Sequence, residues 1–409
     1  MKISIITPTH GTKHLDELHK SILSQTYSDW EWILLLNNGA KTPDYKDSRI
    51  KIIRAPFNSK SVGLLKKYAF MQGTGEILLE ADHDDILTND CLSEVAKAFE
   101  EEEVGFVYSD NAKLPDQDKP FVPYNPAYGW THEKITIKEK EYTTMKSFEP
   151  TAASLSFIWF APDHVRAWRK EVYDGIGGHD ETLDVCDDHD LLCRTYLVTK
   201  MKKINRVLYI YRITGCNTWI QRNAKIQVQT KEIMNKYMYR LAEKFAEINK
   251  LKKIDLCGGF NKPKGYESID EEDGDIIANL NEGIPLPNNS VGVVRAHDAL
   301  EHIANKQLIM REIHRVLVPG GFLLSVTPST DGRGAFQDPT HVSFYNENSF
   351  WYWTKPKLMQ YIRNENIMFS AYRLDTQFPT DWHREHNISY VYAYLMKLGD
   401  GLPRIPPEN

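Results

Sequence analysis

The sequence has little cysteine, no long apolar run and no excess of positive charge. Its five cysteines, Cys91, Cys186, Cys193, Cys216 and Cys257, are odd in number and nowhere spaced as CxxC, which argues against a disulfide framework or a zinc site and for buried thiols. The longest apolar runs, such as Trp32 to Leu36 and Phe322 to Val326, are strand-sized. A membrane-crossing helix needs roughly 20 apolar residues. A formal net charge of -6 offers no basic face for nucleic acid. The opening MKISIITPT enters a strand pattern directly, without the charged, apolar and cleavage regions of a secretory leader, so a cytoplasmic location is expected.

What is present is enough for two cores, since 409 residues exceed one ordinary domain. In the first half, strand-length apolar runs at Lys2 to Thr7, Glu31 to Leu36, Ile50 to Arg54, Glu76 to Leu79 and Gly105 to Tyr108 alternate with helical patterns at Leu15 to Gln25 and Val62 to Met71. That alternation predicts an α/β fold with a doubly wound parallel sheet, whose ligands gather at the carboxyl ends of the strands. Three polar strand ends would then share one crevice: Thr7-Pro8-Thr9, Asn37-Asn38-Gly39 and Asp82 to Asp85. The last holds three carboxylates in four positions, Asp82, Asp84 and Asp85, which repel one another and call for a cation. The set suits a nucleotide diphosphate, with base and ribose at the first two ends and metal-bridged phosphates at the third.

These residues carry a family resemblance. The segments SILSQTYSDWEWILLLNNGA, GLLKKYAFMQGTGEILLEADHDDIL, VGFVYSD and IGGHDETLDVCDDHDLLCRTYL resemble successive blocks of the inverting family 2 glycosyltransferases of GT-A fold, over about the first 220 residues. The resemblance implies a nucleotide-sugar donor, with Asp82 and Asp84 as ribose and metal contacts, Asp85 in support, and Mn2+ or Mg2+ holding the diphosphate. It adds Thr7, Pro8, Thr9, Asn37, Asn38 and Lys66 to the donor side. Asn37 and Asn38 stand where the family usually has an acidic pair; an amide oxygen still accepts a base N-H, and a UDP-sugar is the first expectation. The family's proton acceptor corresponds to Asp188 in VCDDHDLLCR, with Asp190 and Arg194 as a supporting helical pair. An acidic helix start that complements the macrodipole is the plainer use of Asp187 to Asp190. Arg212, in VLYIYRITGCNTW, resembles a diphosphate contact and reads equally as an ion-pair partner. The segment Phe121 to Glu149 lacks periodicity and is expected as an acceptor-side loop. Trp130, Tyr128 and Trp159 suit stacking on sugars or, more often, core packing.

Gln221 to Lys253 has apolar residues near every third or fourth position and reads as one long connecting helix. Beyond it, KIDLCGGFNKPKGYESID, IPLPNNSVGVVRAHDALEHI and REIHRVLVPGGFLLSVTP resemble class I methyltransferases that use S-adenosylmethionine. That resemblance implies a second Rossmann-like domain with Asp255, Gly258, Gly259, Asp270 and Asn279 around the cofactor. Cys257 and Asn279 depart from the family's usual glycine and aspartate, and Gly259 to Tyr266 is too short for the helix that normally joins the first two strands. Transfer to a hydroxyl needs a base or metal, and His302 and His341 are the candidates; the alternative is that Glu301 and His302 cap a helix from Ile303 to Val316. Pro319-Gly320-Gly321 reads as a break between that helix and the next strand, and Phe344 to Trp353 as core.

The expected organisation is a glycosyltransferase domain over 1–222, a helical connector over 223–252 and a methyltransferase-like domain over 253–409. The expected function is sugar transfer from a nucleotide donor to a glycan or lipid-linked glycan, coupled to sugar methylation, in surface polysaccharide or O-antigen synthesis. One alternative keeps the glycosyltransferase and makes the C-terminal domain a non-catalytic module. Another is a non-enzymatic carbohydrate-binding protein, against which the density of carboxylates argues.

Overall fold

The computed structural model describes every residue except 116–120, 138, 159, 216, 364–366 and 406–409. Its contacts divide the chain into two compact units, the first Met1–Pro126, Trp130–Pro150 and Ser154–Tyr237, the second Ala127–Gly129, Thr151–Ala153 and Met238–Asn409. The division falls inside one helix, Asn223–Ile248.

The first unit is built on strands β1 (Ile3–Thr9), β2 (Trp30–Leu36), β3 (Ile50–Arg54), β4 (Ile77–Glu80), β5 (Ile86–Leu87), β6 (Val104–Pro115), β7 (His132–Ile137), β8 (Lys140–Met145), β9 (Arg166–Arg169) and β10 (Lys200–Ile213). Their order is β3-β2-β1-β4-β9-β6-β10-β5, with β8 joined to β6 and β7 to β8. The first four run parallel, and β9 enters antiparallel between β4 and β6. All seven residues of β2, WEWILLL, are buried, as a strand covered on both faces requires. The helix Leu15–Leu23 turns Leu15, Leu18 and Ile22 inward at helical spacing. The helix Val62–Phe70 starts at Ser61, whose hydroxyl accepts the Leu64 N-H at 3.2 Å. At Gly63 a Cβ would lie 2.1 Å from the Asp180 carbonyl oxygen, so only glycine lets that loop lie against the helix.

Two expectations change here. The segment Phe121 to Glu149 is not a plain loop; it holds the β7–β8 hairpin. HEKITI and KEYTTM are mostly exposed or half-buried, so no apolar face marks them. The strand expected over Gly105 to Tyr108 runs on to Pro115, because Ser109, Asp110, Asn111 and Lys113 are buried with partners: Asp110 accepts the Ser147 N-H at 2.7 Å and Asn111 donates to Asp163 at 2.7 Å.

The second unit has strands β11 (Lys252–Leu256), β12 (Glu267–Asp270), β13 (Ile276–Ile277), β14 (Val291–His297), β15 (Leu317–Pro328), β16 (Phe369–Gln377) and β17 (Tyr390–Lys397). The order is β13-β12-β11-β14-β15-β17-β16, parallel from β13 through β15, with β17 antiparallel to both of its neighbours. Both units are therefore doubly wound, Rossmann-like sheets. A single 3-10 turn, Gly259–Asn261, replaces the helix between β11 and β12, as the short interval demands. Pro319-Gly320-Gly321 lies inside β15 rather than before it. The helix starts at Lys306, capped by the Asn305 side chain, not at Ile303. Tyr345, Phe350 and Trp353 are in the core. No helix among the described residues is long and apolar enough to cross a membrane.

Candidate active sites

Strand order in the first sheet reverses between β1 and β4, and such a switch point leaves a crevice outside the carboxyl ends. A cleft of about 900 Å³ opens there. Pro8 and Thr9 end β1, Asn37 and Asn38 follow β2, and Asp82 and Asp84 follow β4; Lys66, Asp187 and Asp188 line it too. Thr7, Asp85 and Arg212 are not among the described residues that line it. Thr7 is fully buried and accepts the Trp32 indole N-H at 2.9 Å.

At one end, the side-chain amides of Asn37 and Asn38 both donate to the Ser59 carbonyl, at 3.1 and 3.3 Å. Asn37 Oδ1 is left buried without a hydrogen-bond partner. One N-H of each amide is thus committed to Ser59, and the Asn37 oxygen is left over as an acceptor.

The acidic turn is held from behind. Asp85 Oδ1 accepts the Arg212 backbone N-H at 2.6 Å, while the Arg212 guanidinium donates to the Asp84 carbonyl and to Glu17, both at 2.8 Å. Arg212, read from sequence as a diphosphate contact or equally as an ion-pair partner, pairs with Glu17 and braces the turn, and Asp85 is its buried anchor. Burial, with the neighbouring carboxylates, pushes Asp84 up and Asp85 well up. Among the described residues, the cleft group whose ligand atoms all lie within 4.8 Å of one another is Glu80, Asp82 and His164, rather than Asp82, Asp84 and Asp85.

Beneath the cleft lies a network of buried charges. Glu80, 1% exposed, closes the apolar strand ILLE and pairs with the Lys66 ammonium at 2.5 Å and with Arg166 at 3.7 Å. Arg166 Nη1 donates to Asp188 Oδ2 at 2.8 Å, and its other nitrogens donate to the Pro162 and Phe160 carbonyls. Burial works to raise Asp188, but Arg166 and Lys66 outweigh it and hold the carboxyl below its usual range. Next to it, burial pushes Asp187 up to about 7, with Lys66 opposing and Asp188 and Glu80 adding. His164 lies 3.8 Å from both Glu80 and Asp82. Burial and Arg166 would lower it, yet Asp163 and Glu80 prevail and raise it to about 9; a metal held there must displace its proton. Asp190 is a structural residue, bonded to Arg194 at 2.7 Å and to the Tyr237 hydroxyl at 2.8 Å.

Glu80, His164 and Arg166 escaped sequence reasoning. Only Glu80 carried a signal, a carboxylate ending a buried apolar run that must find a cation. Of the aromatic candidates, Trp130 is core, 4.4 Å from the Phe148 ring and stacked on Phe160 at 5.3 Å. Tyr128 is exposed, and Trp159 lies outside the described residues.

In the second unit the strand order reverses between β11 and β14. Asp255 ends fully buried with both oxygens on Arg295 Nη1, at 2.7 and 2.8 Å, so it supports the turn instead of facing a ligand. A Cβ on Gly258 would meet Asp255 Oδ2 at 2.3 Å, and one on Gly259 would stand 3.8 Å from Asp270 Oδ2. The glycine turn and Asp270 therefore share one spot. Asn279, just past β13, accepts the Asn281 N-H at 2.8 Å. His302 and His341 come together, ring centroids 5.0 Å apart. Neither Glu301 nor His302 caps the helix that follows, since Asn305 does.

Residues 4–174 match glycosyl transferase family 2, and residues 240–325 match a methyltransferase domain family. Asp188 and His341 lie beyond these matched stretches. The O-antigen biosynthesis protein RfbC of Myxococcus xanthus is 25% identical over 242 residues, 56% of this chain. The chain spans only 17% of that relative's length. Among solved structures, S. aureus TarS 1-349 in complex with UDP is 16% identical, covering 61% of this chain and 71% of its own, with a TM-score of 0.42. The mannosyltransferase PcManGT from Pyrobaculum calidifontis, in complex with GDP-Man and Mn2+, is 16% identical, covering 56% and 63%, with a TM-score of 0.40. The chain joins a family 2 glycosyltransferase domain to a methyltransferase domain.

Proposed function

We propose that the first domain transfers a sugar with inversion from a nucleotide-sugar donor, UDP-linked in the first instance, to a glycan or lipid-linked glycan acceptor, with Mn2+ or Mg2+. One observation carries this reading: Asp82, Asp84 and Asp188, from distant parts of the chain, line the same cleft. Asp82 and Asp84, with Glu80 and His164 close to Asp82, would hold a divalent ion, which would offset the negative charge of the leaving diphosphate. The partnerless Asn37 Oδ1 suits the ring N-H of a uracil, with Pro8, Thr9 and Asn38 beside it. Asp188 takes the proton of the acceptor hydroxyl as it attacks opposite the leaving group. Arg166 keeps that carboxylate ionised and aims it through the 2.8 Å contact. The hydroxyl becomes acidic as its bond to the anomeric carbon forms, so a carboxylate with a low pKa can still take the proton. Lys66 and His164 balance the negative charge gathered around Glu80.

The second domain is read as a sugar methyltransferase. S-adenosylmethionine supplies a methyl group on a cationic sulfonium. The residues present fit it: at Gly259 the turn has room, with the nearest atom to an added Cβ 3.8 Å away on the Asp270 carboxylate, which stands beside that turn as a partner for a cation or a ribose. Asp270 and Asn279 serve its ribose and adenine. The name of the Myxococcus relative supports surface polysaccharide or O-antigen as the product. A second reading, a glycosyltransferase whose C-terminal domain only binds or scaffolds, is favoured by one observation, the locking of Asp255 by Arg295. Calorimetric titration of the full chain with S-adenosylmethionine decides between them: saturable binding with methyl transfer to the glycosylated product supports two activities, and no binding leaves one. For the first domain, metal-dependent release of nucleoside diphosphate from a donor panel is the test.

A further inference from the structure

We propose that Glu301, His302 and His341 form a divalent transition-metal site in the second domain, separate from the acidic turn of the first. Each residue offers a ligand atom, and the three lie within 4.8 Å of one another. Glu301 sits in the turn after β14, 2% exposed. Its Oε2 accepts the Thr327 hydroxyl at 2.7 Å, while Oε1 is buried with no hydrogen-bond partner. A buried carboxylate oxygen left bare is costly unless something cationic takes it.

The two imidazoles are oriented as metal ligands usually are, by a hydrogen bond from the ring nitrogen that does not bind. His341 Nδ1 stands 3.0 Å from the Ala335 carbonyl, which can only accept, so Nδ1 carries the proton and Nε2 keeps its lone pair. His302 Nδ1 contacts Thr340 Oγ1 at 3.2 Å, and that hydroxyl spends its own proton on Asp338 at 2.6 Å. The threonine therefore accepts from His302, and Nε2 is again the free ligand.

The segments that bring the three together are tied in place. The Glu301 carbonyl accepts the N-H groups of Val342 and Ser343, both at 2.9 Å, and the Ser343 hydroxyl donates to the Ile303 carbonyl at 2.6 Å. Two imidazole nitrogens and one carboxylate favour Zn2+, Fe2+, Mn2+ or Co2+ over Mg2+ or Ca2+, and three protein ligands leave positions open for an outside oxygen. The site lies at the carboxyl edge of β14 and β15: Glu301 follows β14, and its partner Thr327 is one residue from the end of β15. If the methyltransferase reading holds, the open position would orient and acidify the acceptor hydroxyl; ion binding itself does not depend on that reading.

The test is Co2+ titration of the metal-stripped full chain, followed by visible ligand-field absorbance and elemental stoichiometry. An Asp82→Asn/Asp84→Asn background silences the first domain. One Co2+ per chain is expected, bound at least about 100-fold more weakly after His341→Ala or Glu301→Gln, and about 10- to 100-fold more weakly after Thr327→Val. If His341→Ala lowers the melting temperature, His341→Asn and Thr327→Val carry the comparison. No Co2+ in the background chain, or equal affinity in these variants, overturns the site. Intact ion binding without any methyl transfer would instead count against the methyltransferase reading alone.

Discussion

Arg166 Nη1 stands 2.8 Å from Asp188 Oδ2, with the arginine side chain 1% exposed and the aspartate 15%. β9 delivers the arginine, and the helix Asp187–Val198 delivers the aspartate at its first turn. The pairing holds the Asp188 carboxyl below its usual range, while burial pushes its neighbour Asp187 up to about 7. Two adjacent carboxyls are thus shifted in opposite directions, and the guanidinium contact is what lowers Asp188.

Asp188→Asn is expected to lower the turnover number for sugar transfer by about 10²- to 10⁴-fold, the usual worth of a general base. Donor affinity should change little. Steady-state kinetics with donor binding measured separately checks this; a variant within about threefold of the parent, on the scale of that principle, removes Asp188 from the reaction.

Arg166→Lys should move the acidic limb of the pH-rate profile to higher pH. The argument runs from sign: Arg166 lowers the Asp188 pKa, the reactive form is the carboxylate, and a weaker cation lets it hold its proton longer. Arg166→Ala, which strands Asp188 and Glu80, should also destabilise the fold by about 3–5 kcal/mol, as breaking a buried pair does. A thermal melt and a rate profile carried down to about pH 3, below the ordinary carboxylate range, read both.

Much of this was legible before any coordinates. The polar ends of β1, β2 and β4 are local features of apolar strands, so Pro8, Asn37 and Asp82 could be placed on one edge from sequence alone; the alternation of strand and helix predicted the first sheet, and the second was expected from the methyltransferase resemblance. The Arg166 contact was not legible. It depends on a four-residue antiparallel strand, RAWR, inserted between β4 and β6, and four residues carry no usable periodicity. Arg212 stayed open between two readings for a related reason: a cation at a strand end can face ligand or fold back, and the position of Glu17, 195 residues away, favours the ion pair. The β7–β8 hairpin stayed hidden because its exposed faces impose no hydrophobic alternation.

Asp187→Asn should stabilise the ion-free protein more at pH 8 than at pH 5. Burial raises Asp187 in the folded state to about 7 from the ordinary 3.8, so its protonated form stabilises the fold at low pH. That contribution is lost as pH rises through about 7. The difference in melting temperature between variant and parent should grow from pH 5 to pH 8; a constant difference contradicts the assignment.

Gly258→Ala should weaken S-adenosylmethionine binding and lower the melting temperature, since its Cβ would press on Asp255 Oδ2 at 2.3 Å and disturb the Arg295 pair. Overpacking of this kind costs about 1–3 kcal/mol. Asp270→Asn should weaken cofactor binding with the melting temperature unchanged. Calorimetry beside a thermal melt separates the two.

The most direct trial of the account is donor turnover by the full chain, measured as nucleoside diphosphate release from a panel of UDP- and GDP-sugars with and without Mn2+. The expected result is metal-dependent release from one donor class, lost with donor binding in Asp84→Asn and lost with binding retained in Asp188→Asn. Release that ignores the metal, or an Asp188→Asn chain that turns over as the parent does, would contradict it.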